Sequence, residues 1–140
     1  MMPESKRSPR ILRVLRTGTL TLVLGACTHP TSIPSGLDEV LSLSEGDSVR
    51  VSGAVVVHAL ALQDSRCPSD VVCIAAGDVV IVLGLNDGGT VRTDTLRLTS
   101  APRATSFGGL LFQPTDVKPY PNTNAAPSLK TLTLRVTAAP

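Results

Sequence analysis

Two apolar runs decide the fold of this chain: Ala54-Val55-Val56-Val57-His58-Ala59-Leu60-Ala61-Leu62 and Val79-Val80-Ile81-Val82-Leu83-Gly84-Leu85. Each run is short, rich in aliphatic residues and apolar on both faces, which predicts a strand buried between two layers. The segment that joins them, residues 64–77, contains Cys67 and Cys73. We therefore expect a cysteine-bearing loop between two strands of one β-domain.

Segments with a period of two continue on both sides of this pair. Glu45-Gly46-Asp47 separates two such segments, either as a hairpin or as a strand–turn–strand unit. Asn86-Asp87-Gly88-Gly89 predicts a tight hairpin turn, because these residues tolerate positive φ. Around Gly108-Gly109 a further short pair is expected, and residues 131–137 alternate cleanly. The pattern predicts an all-β fold: a small immunoglobulin-like antiparallel β-sandwich of about seven strands over residues 37–140.

Charge is distributed unevenly along the 140 residues. The first 26 contain five basic side chains and one acidic one, whereas the remainder contains eight basic and ten acidic side chains. A domain with a net charge of −2 and no basic patch lacks the electrostatic footprint of nucleic-acid binding. Aromatic residues make up only 2% of the chain, so the core must be aliphatic.

The N-terminal segment has the order of an export signal. Five basic residues precede a short apolar run at 17–24, and Gly25-Ala26-Cys27 follows. The run is too short for a permanent membrane helix, which needs about 20 apolar residues. We predict that residues 1–26 are a cleaved signal peptide.

Leu24-Gly25-Ala26-Cys27 resembles the lipobox of bacterial lipoproteins. The resemblance implies a diacylglyceryl thioether on Cys27, cleavage before it and acylation of the new amino group, which anchors the protein to membrane lipid. Residues 27–36 would then be a flexible tether, broken twice by proline. The expected location is the bacterial cell envelope. In a host with two membranes we expect the outer membrane, because Thr28, which is not Asp, resembles an outer-membrane sorting residue of such lipoproteins.

Lipidation of Cys27 also explains the odd number of cysteines. It leaves Cys67 and Cys73 as a pair, which we expect to form a disulfide in an oxidising compartment. A bridge closing so short a loop contributes about 2–3 kcal/mol in the chain-entropy model. The alternative is a metal site made from both thiolates and His58, the only histidine of the domain. Since the spacing matches no standard metal pattern, we expect no cofactor.

Asp64-Ser65-Arg66-Cys67-Pro68, followed by Cys73 and Ala76-Gly77, resembles a motif of small bacterial exported proteins and lipoproteins. In that family the loop reads Asp-Ser-Arg-Cys-Pro, a spacer, then Cys-x-Trp-Ala-Gly, and Pro119-Tyr120-Pro121 is also similar. This chain has Ala75 at the tryptophan position. The resemblance covers most of residues 49–136; it supports a fold and an exported location and carries over no statement about activity.

The sequence contains no recognisable catalytic set. There is no Gly-x-Ser-x-Gly motif, phosphate loop or dinucleotide fingerprint, and the carboxylates are scattered. Arg66 is a candidate for contact with an acidic partner, or else it pairs with a nearby aspartate or donates to loop carbonyls. The hypothesis is a non-catalytic binding or structural module with an envelope protein or glycan partner. The alternatives are the metal-binding protein and a module that presents its cysteine loop to a protease as an inhibitor.

Overall fold

The computed structural model describes residues 37–140, and within them all regular structure is β. No helix in this region is long and apolar enough to cross a membrane. The strands are β1 (Asp38–Ser44), β2 (Ser48–Ser52), β3 (Val55–Asp64), β4 (Val79–Asn86), β5 (Val91–Arg97), β6 (Thr105–Phe107), β7 (Leu110–Lys118) and β8 (Thr131–Ala138).

These strands form two four-stranded antiparallel sheets that pack as a sandwich. One sheet has the order β1-β8-β7-β6 and the other β2-β3-β4-β5. The predicted all-β sandwich is confirmed, with eight strands rather than about seven. The first turn, Glu45-Gly46-Asp47, joins strands of different sheets, so it is a strand–turn–strand unit and not a hairpin. The predicted hairpin at residues 86–89 joins β4 to β5.

The core is almost entirely aliphatic, as the composition requires. Inward-facing side chains alternate along each strand, so that in β8 Leu132, Leu134 and Val136 are fully buried. In β4 the inward residues Val79, Ile81, Leu83 and Leu85 are equally inaccessible, and Phe112 is the largest buried side chain.

One expectation about β3 is wrong. We expected both faces to be buried, yet Leu60 on this strand is half exposed and His58 is only partly buried. The reason is that a two-layer sandwich covers one face of each sheet and leaves the other in solvent. Aliphatic side chains such as Val56 and Val82 therefore lie on a partly covered outer surface.

Irregularities in β3 and β7 place polar groups at one end of the sandwich. The register of β3 against β4 shifts between Ala59 and Ala61, so the inward positions change from odd to even numbers and Asp64 turns inward. The register of β7 against β8 shifts between Pro114 and Asp116, which brings Val117 into the core.

Candidate functional site: the cysteine loop and its support

Two loops meet at the end of the sandwich where β3 and β7 finish. The cysteine loop, residues 65–78, joins β3 to β4, and the support loop, residues 119–130, joins β7 to β8. The main-chain N–H of Ser69 donates to the Pro121 oxygen at 2.9 Å. The Asp70 carboxylate accepts hydrogen bonds from the main chain and hydroxyl of Thr123 and from the Asn124 amide. The cysteine loop is thus held against a second segment of the chain.

The loop is also closed covalently. Cys67 and Cys73 form a disulfide with an S–S distance of 2.14 Å and a Cα–Cα distance of 5.9 Å. Below the bridge, the Cys67 N–H donates to the Ala76 oxygen at 2.8 Å, so the two arms of the loop pair as in a ladder. The pairing expected from the cysteine count is present.

Asp78 organises the base of the loop. Its buried carboxylate accepts hydrogen bonds from the main-chain N–H groups of Val79, Thr99 and Ser100 and from the Ser100 hydroxyl. Burial by itself raises the pKa of this carboxyl, but these donors outweigh burial and hold the pKa well below its usual range. The Ser65 hydroxyl completes the base by donating to the Asp78 carbonyl at 2.8 Å.

The close approach of the two loop arms requires a glycine at position 77. Its φ of +67° lies in the left-handed region, where a side chain is strained. A Cβ at this position would overlap the carbonyl oxygen of Ser65 on the facing arm. Close approach of the two arms therefore depends on this glycine.

Arg66 lies inside the protein, directly beneath the loop. Its Nε and Nη2 donate to the two oxygens of Asp64 at 2.9 and 2.7 Å, and Nη2 also donates to the Val117 oxygen. The guanidinium carbon lies 4.4 Å from the centre of the Tyr120 ring, a cation–π distance. Lys130 adds a second cation, with Nζ 2.9 Å from Asp64 Oδ2.

The Asp64 carboxylate is therefore surrounded by donors. Burial raises its pKa, and hydrogen bonds from Arg66 and Lys130 outweigh burial and lower the pKa to about 2. With both oxygens accepting charge-assisted hydrogen bonds, the group is ionised at neutral pH and poorly suited to take up or release a proton. The cluster stabilises the loop and has no evident acid–base chemistry.

The structure places Arg66, the candidate for contact with an acidic partner, inside the protein. The residue is 8% exposed, and its Nε and Nη2 groups donate to Asp64 and Val117. A buried guanidinium needs such partners because an unpaired charge in the interior is costly. Of the pairing alternatives, Asp64 is the one found.

The tip of the cysteine loop is exposed and apolar, whereas the base of the loop is buried and polar. Val72 and Ile74, which flank Cys73, are fully exposed, with relative accessibilities of 101% and 110%. Their neighbour Val71 is 45% exposed. Three aliphatic side chains thus extend into solvent from a closed and braced loop. An open depression of about 350 Å³ lies where the two loops meet, between Pro68 and Pro121, and none of these three side chains lines it.

His58 does not join the cysteines. It faces Gly84 on the outer surface of its sheet, six residues before the end of β3, or about 20 Å along the strand. Within residues 37–140, no three histidine, cysteine or acidic side chains are placed to hold a metal ion. The alternative metal set of Cys67, Cys73 and His58 is therefore not assembled. The predicted signal peptide, Cys27 and the predicted tether lie outside the described residues.

Sequence reasoning missed Lys130, Tyr120 and the bracing of Asp70. Lys130 is 66 residues from its partner Asp64, and Thr123 is 53 residues from Asp70. Local periodicity contains no signal for such contacts. The one available hint was Pro119-Tyr120-Pro121, which the family resemblance included without a role.

Comparison with protein-family models, with curated proteins and with solved structures finds no significant match to this chain.

Proposed function

We propose that this chain is a lipid-anchored binding module of the bacterial cell envelope that acts without catalysis and contacts a partner protein through the tip of its cysteine loop. The observation that carries the proposal is the full exposure of Val72 and Ile74 on a loop held by a disulfide and by the support loop. Clustered apolar side chains left in water by a braced segment are typical of an interaction site.

The bracing supports binding for an energetic reason. Ordering a flexible loop on binding costs free energy, about 0.5–1.5 kcal/mol for each immobilised side chain alone. A loop already fixed at Cys67, Cys73 and Asp70 avoids much of that cost. Aliphatic side chains offer no hydrogen bonds to hydroxyl groups, so the side chains of the tip suit the apolar pockets of a protein better than a glycan.

The position of the loop also suits an anchored protein. Asp38, at the start of β1, pairs with Thr137, whereas Ser44, at its end, pairs with Thr131 beside the support loop. The chain thus enters the domain at the end opposite the tip, about 20 Å away along β1. With lipid on Cys27, the tip can be directed away from the anchoring membrane.

The two carboxylates at this end of the sandwich support a role without catalysis. Asp64 and Asp78 are each held by four hydrogen bonds, and both have lowered pKa values. General acid–base catalysis needs a group whose pKa lies near the working pH. These two groups are better matched to holding the loop in place.

Site-specific photo-crosslinking in intact cells tests the binding role. A photoreactive amino acid at Val72 should yield an adduct with one defined protein, whereas the same group at Val91, which is 75% exposed on another surface, should not. Asp70→Ala should weaken the adduct by loosening the loop. Equal labelling from both positions, or none from Val72, contradicts the proposal.

The lipid anchor is tested separately by metabolic labelling with a palmitate analogue. Wild-type protein should incorporate the label and remain with membranes, and Cys27→Ser should lose the label and accumulate as a precursor or as soluble protein. Labelling that persists in Cys27→Ser contradicts anchoring at this residue.

A further inference from the structure

The main chain at the tip is as exposed as its side chains. Within the described residues, no hydrogen bond is made by the N–H or C=O groups of residues 72–75. On one side the Val71 oxygen contacts the Cys67 sulfur, and on the other the Ala76 oxygen accepts from the Cys67 N–H. Four consecutive residues therefore present free donors and acceptors beside two exposed aliphatic side chains.

This combination favours a protein cleft over a lipid surface. Hydrocarbon offers no partner to main-chain N–H and C=O groups, and each unsatisfied group there costs several kcal/mol. A cleft that pairs with an incoming main chain satisfies them and reads neighbouring side chains in pockets. Endopeptidases bind their substrates in this manner, because recognition of a main chain is what their reaction requires.

We propose that the tip occupies the substrate cleft of an endopeptidase whose main specificity pocket accepts small aliphatic side chains, and that the chain inhibits that enzyme. Val72 is the side chain assigned to the pocket. The inference rests on the proposed binding role of the tip and identifies the class of its partner.

The position of Val72 within the disulfide ring explains why the segment would inhibit rather than serve as a substrate. The bond between Val72 and Cys73 lies inside the ring closed by Cys67 and Cys73. If it were cut, both new ends would remain joined through the bridge, and the Asp70 contacts would hold the first end in place. The fragments therefore cannot diffuse apart, and rigid loops of this kind bind tightly because little order is lost.

Ile74 occupies a different position. The bond that follows it lies outside the ring, so the bridge does not hold the two sides of a cut there together. That side is held without the bridge, by hydrogen bonds from Cys67 to Ala76 and from Ser65 to Asp78 and by the start of β4. We therefore assign Ile74 to a secondary contact.

The test measures inhibition of two serine endopeptidases by the full-length mature chain, purified in detergent without reductant. An elastase-type enzyme has a small apolar pocket and trypsin has an acidic one. Wild-type protein should inhibit the elastase-type enzyme at micromolar concentration or below and leave trypsin active. Val72→Arg should weaken the first inhibition by about 30-fold or more, as for a binding hot spot, and should inhibit trypsin.

Val72 is fully exposed, so Val72→Arg should fold normally. Val91→Arg, which places the same side chain at another exposed valine, is the matched control. The proposal is overturned if wild type inhibits neither enzyme, or if Val72→Arg and Val91→Arg behave alike. It is also overturned if Cys27→Ser protein, which has no lipid, sediments with phospholipid vesicles only when Val72 is intact. A crosslink from Val72 in cells together with absent inhibition would reject the endopeptidase and leave the binding role standing.

Discussion

Arg66 Nη2 donates a hydrogen bond of 2.7 Å to the main-chain oxygen of Val117, 51 residues further along the chain. Arg66 follows β3 of one sheet and Val117 lies in β7 of the other, so this contact joins the two layers directly beneath the cysteine loop. At the β5–β6 edge Arg92 makes a similar cross-sheet contact, with the Ser106 oxygen. The loop at the tip is therefore supported by the joined ends of two sheets and not by a single hairpin.

Arg66→Ala is expected to lower the free energy of unfolding by about 3 kcal/mol, because it leaves the buried Asp64 with one cation instead of two. Urea denaturation followed by circular dichroism measures the change. Arg135→Ala is the control, since the Arg135–Asp38 pair is about half exposed and should contribute much less to stability than the buried pair. Equal losses in the two variants would contradict a structural role for Arg66.

Stability should fall as the pH is lowered below about 5. Hydrogen-bond donors lower the pKa of Asp64 to about 2 and hold that of Asp78 lower than usual. In the unfolded chain an aspartate titrates near 3.9, so the unfolded state takes up protons first and is favoured as the pH falls. The stabilisation is complete above about pH 5 and is lost progressively towards pH 2.

Urea titrations at several pH values between 2 and 6 measure this dependence. Asp78→Asn should be less stable at pH 6 and should show a smaller slope between pH 5 and pH 2, because one buried carboxyl with a lowered pKa is gone. A slope unchanged from wild type would show that Asp78 does not contribute to the acid sensitivity.

Removal of the disulfide should destabilise the domain by about 2 kcal/mol, the amount that the chain-entropy model gives for so short a ring. The double variant Cys67→Ser and Cys73→Ser measures this without a reductant, and wild type in dithiothreitol should match it. Hydrogen exchange should accelerate in residues 65–78 and remain slow in β4. Loss of protection throughout the sandwich would show that the bridge holds the fold and not only the loop.

Gly77→Ala should cost at least about 2 kcal/mol, because it combines strain at positive φ with overlap on the Ser65 carbonyl. Gly53→Ala isolates the first effect: Gly53 has a φ of +54° and open space around it. Thermal unfolding should place the Gly53→Ala variant nearer to wild type. Equal shifts in melting temperature would mean that close approach of the loop arms contributes nothing.

Much of the sandwich was predictable from local pattern. In β8, Leu132, Leu134 and Val136 alternate with polar residues because a strand directs successive side chains to opposite faces, and all three are buried. The hairpin at Asn86-Asp87-Gly88-Gly89 was predictable because its turn chemistry is local. The pairing of Cys67 with Cys73 was predicted from the cysteine count under the hypothesis that Cys27 takes lipid.

The face assignment of β3 was not predictable in the same way. A continuous apolar run has no alternation of polar and apolar residues to show which side chains face inward. Leu60 and His58 therefore could not be distinguished from core residues by sequence. The register shift at residues 59–61 reverses the inward parity, and only pairing with β4 defines it. On this outer face, His58 and Leu60 line a depression over Gly84.

The sequence alone determined that this chain forms short strands, where its turns lie and that Cys67 and Cys73 share one short loop, because each of these depends on residues near one another in the chain. Tertiary structure decided what the cysteine loop can do. It buried Arg66 against Asp64 and Val117, brought Lys130 and Thr123 to the loop from over 50 residues away, and left Val72 and Ile74 exposed. Those contacts depend on how two sheets close over a common core, and no local pattern of residues encodes that closure.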